Sequence, residues 1–350
     1  MNRKHKRLFA RAAAFSMAAA MLLATGCSNS KDDGQELVTV IVKSHDQYWE
    51  TLRLGAEDAC EEMGYKLSFL QPENENDAKQ QVRYIEQAVS DGSKAIIIAP
   101  TSPTSLNSSL ESATAEGIPI ISIDTDMEYT AKETLISTDQ DSAGAIAARA
   151  ILKALPTGSS FAIVSYNRDS LTATGRIDSL LQNLTFIDKS VDDPEKANEY
   201  SVTEDEASKA TTPVYKFVGT RYSDNNRAIA KKATLNFLEE NPDIKIIFCT
   251  NQSSTLGACD AIKDKGYAGR VSVIGFDPND EEIQYVRDGI LMGTIAQNPY
   301  NMGYLGVRYA DKVLAGEDIP PRIDTGVCYV TKDNLENSDV QLLLNPALGQ

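Results

Sequence analysis

Five polar side chains of this sequence stand at, or shortly beyond, the ends of short apolar runs. They are the carboxylates of Asp124 and Asp277, the amides of Asn251 and Gln297, and the guanidinium group of Arg176. A carboxylate can accept hydrogen bonds from two neighbouring hydroxyl groups, an arginine donates in a fork, and an amide both donates and accepts. The combination suits a ligand that carries several hydroxyl groups.

An aromatic pair, Tyr48 and Trp49, follows the first apolar run and its His45-Asp46 dipeptide. Flat aromatic faces suit the C–H face of a sugar ring, although the only tryptophan of a chain can equally belong to the core. Polar residues after a strand are also common as turn formers and helix caps. Six strand ends with such side chains favour a binding site over capping alone.

The sequence contains few residues and motifs that are typical of an enzyme active site. His45 is the only histidine beyond the first 26 residues, which disfavours His-based metal sites and Ser–His or Cys–His nucleophile pairs. Phosphate-binding and hydrolase motifs do not occur in the sequence. We therefore expect a binding protein with no catalytic residues, no metal and no cofactor.

The elements that must position these residues alternate regularly along the chain. Short apolar runs alternate with amphipathic segments that end at glycines such as Gly64, Gly117 and Gly266, a pattern typical of an α/β fold with parallel strands. Nine apolar runs exceed one ordinary sheet, so we expect two doubly wound sheets with ligands bound beyond the carboxyl ends of their strands. The runs are 38–42, 67–70, 95–98, 118–123, 161–164, 214–218, 244–249, 271–276 and 291–296.

The N-terminus predicts export and lipid attachment. A basic segment and an apolar stretch of residues 12–24 lead to Leu23-Ala24-Thr25-Gly26-Cys27, which resembles the cleavage box of bacterial lipoproteins. We expect a signal peptide at 1–26, acylation of Cys27 (palmitate), a flexible tether at 27–36, and an anchor on the outer face of the cell membrane, with Ser28 favouring a single-membrane bacterium. A simple N-terminal membrane anchor is the alternative.

Charge and cysteine content narrow the possible partners. The net charge is −16 and five of the 34 basic residues lie in segment 1–26, so the processed chain would be more acidic still and would repel nucleic acid. The charged stretch 187–213 predicts a surface insertion. The remaining cysteines lack CxxC spacing and are expected to be small buried side chains, with a disulfide left open: Cys60, Cys249, Cys259 and Cys328.

Over nearly its whole length the chain resembles the ribose group of type I periplasmic binding proteins, whose core is LacI-like. The matching strings are Tyr48-Trp49, Ile123-Asp124, Arg176–Leu180, Phe248–Asn251, Ile274–Asp277 and Thr294–Gln297. The resemblance implies an N-terminal lobe of 37–138 plus 298–324 and a C-terminal lobe of 139–297 plus 325–343, joined by three crossovers near 137–139, 297–299 and 323–326. It also implies ligand contacts by Asp46, Tyr48, Trp49, Asp124, Thr125, Arg176, Asn251, Asp277 and Gln297.

The function implied by the resemblance is that of a monomeric substrate-binding lipoprotein of an ABC importer, which closes on a monosaccharide and delivers it to a membrane permease. A receptor that feeds a sensor kinase or recognises a signalling molecule is the alternative. Thr125 stands where the ribose group often has a second arginine, and His45-Asp46 stands where two asparagines are common. One positive donor is lost and one carboxylate gained, which leaves a larger sugar, a cyclitol or an amine-bearing ligand open.

Overall fold

The computed structural model describes residues 34–75, 77–154, 159–186 and 215–349. Their strands form two six-stranded sheets with the orders β11-β5-β4-β3-β1-β2 and β12-β10-β9-β8-β6-β7. The strands of the first sheet are β1 (Leu37–Ile41), β2 (Lys66–Leu70), β3 (Ala95–Ile98), β4 (Ile120–Ile123), β5 (Thr134–Ser137) and β11 (Arg322–Asp324). Those of the second are β6 (Ser160–Ser165), β7 (Lys216–Tyr222), β8 (Ile244–Cys249), β9 (Ser272–Phe276), β10 (Leu291–Gln297) and β12 (Val327–Val330).

The strand pairs of both sheets are parallel, with the exception of β10 and β12. Parallel strands cannot be joined by tight hairpins, so helices connect them across the faces of the sheets. The helices are α1 (Gln47–Met63), α2 (Ala78–Ser90), α3 (Asn107–Ala115), α4 (Gln140–Ala154), α5 (Leu171–Phe186), α6 (Arg227–Glu240), α7 (Gln252–Lys265), α8 (Asp280–Arg287), α9 (Pro299–Leu314) and α10 (Ser338–Leu344).

Each sheet is covered on both faces, which explains the continuous apolar runs of its central strands. Val38 and Val40 of β1 pack with α1 and α9, whereas Ile41 packs on the opposite face with α2 and α3. The second sheet is sandwiched in the same way between α6 and α7 on one face and α4 and α5 on the other. The predicted α/β class and the doubly wound sheets are confirmed.

The chain passes between the two sheets three times. Ser137 ends β5 of the first sheet and is followed by α4, which covers the second sheet. Gln297 ends β10 of the second sheet and is followed by α9, which covers the first. Asp324 ends β11 and β12 begins at Val327, one strand in each sheet. These are the three crossings expected from the resemblance.

Three strands of the structure, β5, β11 and β12, are absent from the nine predicted runs. All three are short, and β11 has the sequence Arg-Ile-Asp with little apolar character, so only pairing with a neighbouring strand defines it. The expected run at 214–218 is displaced in the structure, where β7 covers Lys216–Tyr222.

Several sequence predictions fall on residues outside the described ranges. They are the signal peptide, Cys27 with residues 28–33 of the tether, and the insertion at 187–213. Among the described residues, every helix falls short of the length and apolar character that a bilayer crossing requires. Cys60, Cys249, Cys259 and Cys328 are free thiols, the first three of them buried.

Candidate functional site

A cavity of about 250 Å³ lies where the carboxyl ends of the strands of both sheets converge. Eight of the nine predicted binding residues line it, and Thr125 lines a smaller adjoining pocket instead. The side chains lining the larger cavity are those of Lys43, Asp46, Tyr48, Trp49, Glu75, Asp124, Tyr166, Thr172, Arg176, Asn225, Asn251, Gln252, Ser253, Asp277 and Gln297.

The two carboxylates predicted from the strand ends occupy matching positions in the two sheets. Asp124 follows β4 with a φ of 63°, and Asp277 follows β9 with a φ of 65°. Both lie in the left-handed region, which costs a non-glycine residue roughly 1–3 kcal/mol and is tolerated best by Asp and Asn. The same backbone turn therefore projects a carboxylate into the cavity from each side.

On the second side, Asp277 is held by a basic and an amide side chain. Arg176 Nη1 lies 3.3 Å from Asp277 Oδ2, and Gln297 Nε2 donates to Oδ1 at 2.6 Å. Arg176 is itself fixed by a bond to the carbonyl oxygen of Thr250 at 2.5 Å and by the ring of Phe276, 3.6 Å from the guanidinium carbon. Burial raises the pKa of Asp277, and the positive charge of Arg176 partly opposes that rise.

Unused hydrogen-bonding capacity remains on this side of the cavity. Each oxygen of Asp277 accepts one protein bond and can accept another, so two neighbouring ligand hydroxyls can both be satisfied. Gln297 Oε1 is buried and has no hydrogen-bond partner among the described residues, which costs free energy.

On the first side, Asp124 forms an ion pair that the sequence did not reveal. Lys43 Nζ donates to Asp124 Oδ2 at 2.8 Å and to Thr125 Oγ1 at 2.5 Å, while Tyr48 OH donates to Asp124 Oδ1 at 2.8 Å. Burial acts to raise the pKa of Asp124, but the charge of Lys43 and these hydrogen bonds lower it overall. The positive donor expected to be lost at position 125 is thus supplied by Lys43.

Asp46 and Asn251 both act as helix caps at the edge of the cavity. Asp46 Oδ1 accepts from the backbone N–H groups of Tyr48 and Trp49 at the start of α1, and Ser44 Oγ donates to Oδ2. Asn251 Oδ1 accepts from the first turn of α7, where its partners form a capping box. Both residues therefore cap a helix, as the alternative interpretation of the sequence expected, and both also line the cavity.

The sequence left open whether Tyr48 and Trp49 contact a ligand or pack in the core, and the structure assigns them differently. Trp49 is only 4% exposed and belongs to the core cluster beneath α1, so it reaches the cavity with little of its surface. The Tyr48 ring meets it edge to face at 4.8 Å. A further aromatic side chain, Tyr166 after β6, lines the cavity and its adjoining pocket. Trp49 therefore offers less stacking surface to a ligand than the sequence suggested, and Tyr166 adds an aromatic side chain that the sequence prediction did not include.

Two contacts connect the sides of the cavity, and both use residues that were not among the predicted site residues. Asn225, which follows β7, donates from Nδ2 to Glu75 Oε2 in the loop after β2. Thr125 Oγ1 lies 3.0 Å from Thr172 Oγ1 of α5. Burial raises the pKa of Glu75 to about 7. The sequence does contain a signal for both missed charges. Glu75 lies in the polar loop that follows a strand, and Lys43 directly follows the first apolar run.

Comparison with known proteins agrees with this geometry. Residues 37–318 match the family model described as the periplasmic binding protein domain. The chain belongs to the periplasmic binding proteins. The ribose import binding protein RbsB of Haemophilus influenzae is 26% identical to it over 320 residues, which cover 91% of this chain and 98% of the relative. The D-allose-binding periplasmic protein of Escherichia coli is 27% identical over 301 residues, covering 84% and 89%.

Solved structures share the fold of this binding protein. An ABC transporter solute-binding protein from Agrobacterium vitis with bound D-fucose is 30% identical at a TM-score of 0.75, covering 88% of this chain and 99% of its own. A solute-binding protein from Agrobacterium radiobacter in complex with D-arabinose is 26% identical at a TM-score of 0.77, covering 89% and 99%. The relatives are solute-binding transport proteins rather than enzymes, in line with the expectation from the sequence.

Proposed function

We propose that this binding protein is the receptor of an ABC importer and holds a monosaccharide in the cavity between its two sheets. The carrying observation is the cluster of Asp277, Arg176 and Gln297, whose side chains line the polar cavity and in which Asp277 keeps an open acceptor position on each oxygen. The lobes proposed to close on the ligand are residues 37–138 plus 298–324 and residues 139–297 plus 325–343.

The size of the cavity supports a compact ligand. Pockets for drug-sized molecules span roughly 300–1,000 Å³, and this cavity of about 250 Å³ lies just below that range. The relatives and neighbours named above carry ribose, allose, fucose or arabinose in their names or crystals, and all four are single sugar rings. We therefore favour a single pentose or hexose ring over an oligosaccharide.

The predicted residues would divide the contacts with such a ring. Asp277 would accept from two hydroxyls and Arg176 would donate in a fork, while Gln297 would hold the Asp277 carboxylate in place. On the opposite side Asp124 Oδ1 has one acceptor position left beside Tyr48. The contacts of the ring with Tyr48 would be apolar.

We also propose that Cys27 carries a lipid and that the chain works as a monomer on the outer face of the membrane. The basic and apolar N-terminal segments and the small residues before Cys27 support the lipid attachment. Replacement of Cys27 by Ser should move the expressed protein from the membrane fraction to the soluble fraction. Retention in the membrane would contradict acylation as the anchor.

Thermal unfolding in the presence of pentoses, hexoses, cyclitols and amino sugars tests the monosaccharide proposal. A ligand at about a hundred times its Kd stabilises the native state by roughly 2.7 kcal/mol, because it binds only the folded protein. At least one monosaccharide should therefore raise the melting temperature by several degrees in a saturable way. If no compound of the panel shifts the transition, the monosaccharide proposal is wrong.

A further inference from the structure

The charges that line the larger cavity do not balance. Among its described residues are four carboxylates and two cationic side chains. Lys43 pairs with Asp124 at 2.8 Å, and Arg176 pairs with Asp277 at 3.3 Å. Both cations are thus taken by a carboxylate, and two carboxylates are left without an ionic partner.

These two carboxylates, Asp46 and Glu75, differ in what else satisfies them. Asp46 accepts two backbone N–H bonds at the positive end of α1 and a third bond from Ser44. The hydrogen bond of Glu75 comes from the neutral amide of Asn225. Glu75 is therefore the carboxylate of the cavity whose charge is least compensated by protein groups.

Glu75 lies where two pockets adjoin. It lines both the larger cavity and the adjoining pocket, which also contains Asp126 and Asp169. Lys132 forms an ion pair with Asp126 at 3.1 Å, so the charge of one of these two aspartates is already compensated. A cleft with an excess of negative charge attracts positively charged solutes, as the net charge of −16 also does over longer distances.

The acceptors of the cavity also favour a ligand with many donors. Each carboxylate oxygen of Asp277 accepts one protein bond and can accept another, and Asp277 lines the same cavity as Glu75. An ammonium group offers three donors and no acceptor, whereas a hydroxyl group offers one donor. An excess of carboxylates with open acceptor positions is therefore better matched by a ligand that carries an amine.

We propose that Glu75 is a specificity-determining residue and that the ligand is an amino sugar, a monosaccharide with a protonated amine. The proposal rests on the monosaccharide-binding function and narrows its ligand class. Glu75 would form a charge-assisted hydrogen bond with the ammonium group, while Asp277 and Arg176 hold the ring hydroxyls. A neutral sugar would leave the negative charge of ionised Glu75 without a cationic partner.

The pKa of Glu75 is compatible with this role and determines how the affinity for the ligand should change with pH. Burial raises its pKa to about 7, Lys43 opposes that rise, and the negative charges of Asp46, Asp124 and Asp277 add to it. A ligand cation binds the ionised form. Affinity for an amino sugar should therefore be highest above pH 7 as long as the amine is protonated, and should fall as the pH drops below 7.

Calorimetric titration with D-glucosamine, D-galactosamine and D-mannosamine, each beside its parent hexose, tests the proposal. The proteins compared are the wild type, Glu75→Gln, and Glu73→Gln as an exposed control in the same loop. At pH 7 the best amino sugar should bind the wild type and Glu73→Gln at least about tenfold more tightly than its parent hexose. In Glu75→Gln the amino sugar should bind no more tightly than its parent hexose, and its affinity should no longer fall between pH 7 and about pH 6. The melting temperature of this variant should be unchanged.

Each contrary result points to a different error. Equal or tighter binding of the parent hexoses by the wild type overturns the amino-sugar proposal and leaves the monosaccharide function intact. An amino-sugar advantage that persists in Glu75→Gln removes Glu75 as its cause, and Asp46 or Asp277 would then carry the pH dependence. Binding of neither class removes the monosaccharide function, and the amino-sugar proposal with it.

Discussion

Lys43 and Asp124 form a buried ion pair at the first side of the cavity. The pair is less than a tenth exposed, and burial lowers the pKa of Lys43 whereas Asp124 raises it, with a net rise. Two buried charges are tolerated because each compensates the other, so removal of one leaves an uncompensated charge in the protein interior. The pair therefore matters for stability as well as for the electrostatics of the ligand site.

Replacement of Lys43 by Met should lower the free energy of unfolding by about 3–5 kcal/mol, because Asp124 is left unpaired. Denaturant unfolding at neutral pH measures this. The control is Lys94→Met, since Lys94 makes a surface pair with Glu36 at 3.3 Å and should contribute no more than about 1 kcal/mol.

The double variant Lys43→Met/Asp124→Asn separates the missing charge from the missing contacts. Because neither charge remains, it should be more stable than Lys43→Met alone. If Lys43→Met is as mild as Lys94→Met, the ion pair is not a buried one in solution.

At the scale of single residues, the sequence predicted the carboxylates of the cavity better than the charges around them. Asp124 and Asp277 were predictable because each directly follows an apolar run and because the carboxyl ends of parallel strands meet at one edge. Lys43 and Glu75 were missed for a physical reason. A lysine at a strand end and a glutamate in a polar loop usually lie in solvent, and only the folded chain brings them beside partners from distant segments.

At the scale of elements, the first turn of α1 connects the cap to the binding site. Asp46 accepts from the backbone N–H groups of Tyr48 and Trp49, so it fixes the two aromatic residues as well as the helix end. The close approach of α1 and α9 adds a second constraint: a Cβ atom at Gly303 would lie 2.0 Å from the carbonyl oxygen of Leu52. The contacts that fix the position of α1 therefore also fix the side chains of Tyr48 and Trp49 that line the cavity.

Replacement of Asp46 by Ala should destabilise the protein by about 0.5–2 kcal/mol and weaken ligand binding, because the first turn of α1 loses its cap. Asp46→Asn should keep both properties near the wild type, since asparagine caps helices equally well. Denaturant unfolding and calorimetry on the same samples distinguish the two. Loss of affinity in a stable Asp46→Asn variant would mean that the carboxylate contacts the ligand directly.

The architecture at the same scale was largely predictable, whereas three short strands were not. Central strands such as β3 and β4 are buried on both faces and appear in the sequence as continuous apolar runs. The missed strands β5, β11 and β12 are three or four residues long, and pairing with neighbouring strands defines them.

At the scale of the whole molecule, contacts join the two sides of the cavity. Asn225 donates to Glu75, and Thr125 lies beside Thr172, so residues that follow strands of the two sheets meet at the cavity. Such contacts would form when a receptor of this kind closes on its solute. The three crossings between the sheets are the segments about which such a movement would occur.

The central claim is that Asp277 holds a monosaccharide between the sheets, and calorimetric titration of one variant tests it most directly. Asp277→Asn keeps a residue that tolerates the left-handed backbone but removes the acceptor charge. The control is the exposed Asp318→Asn. For the sugar with the largest thermal shift, Asp277→Asn should bind at least about tenfold more weakly, with Asp318→Asn unchanged. Equal affinity in all three proteins would contradict the assignment of the site.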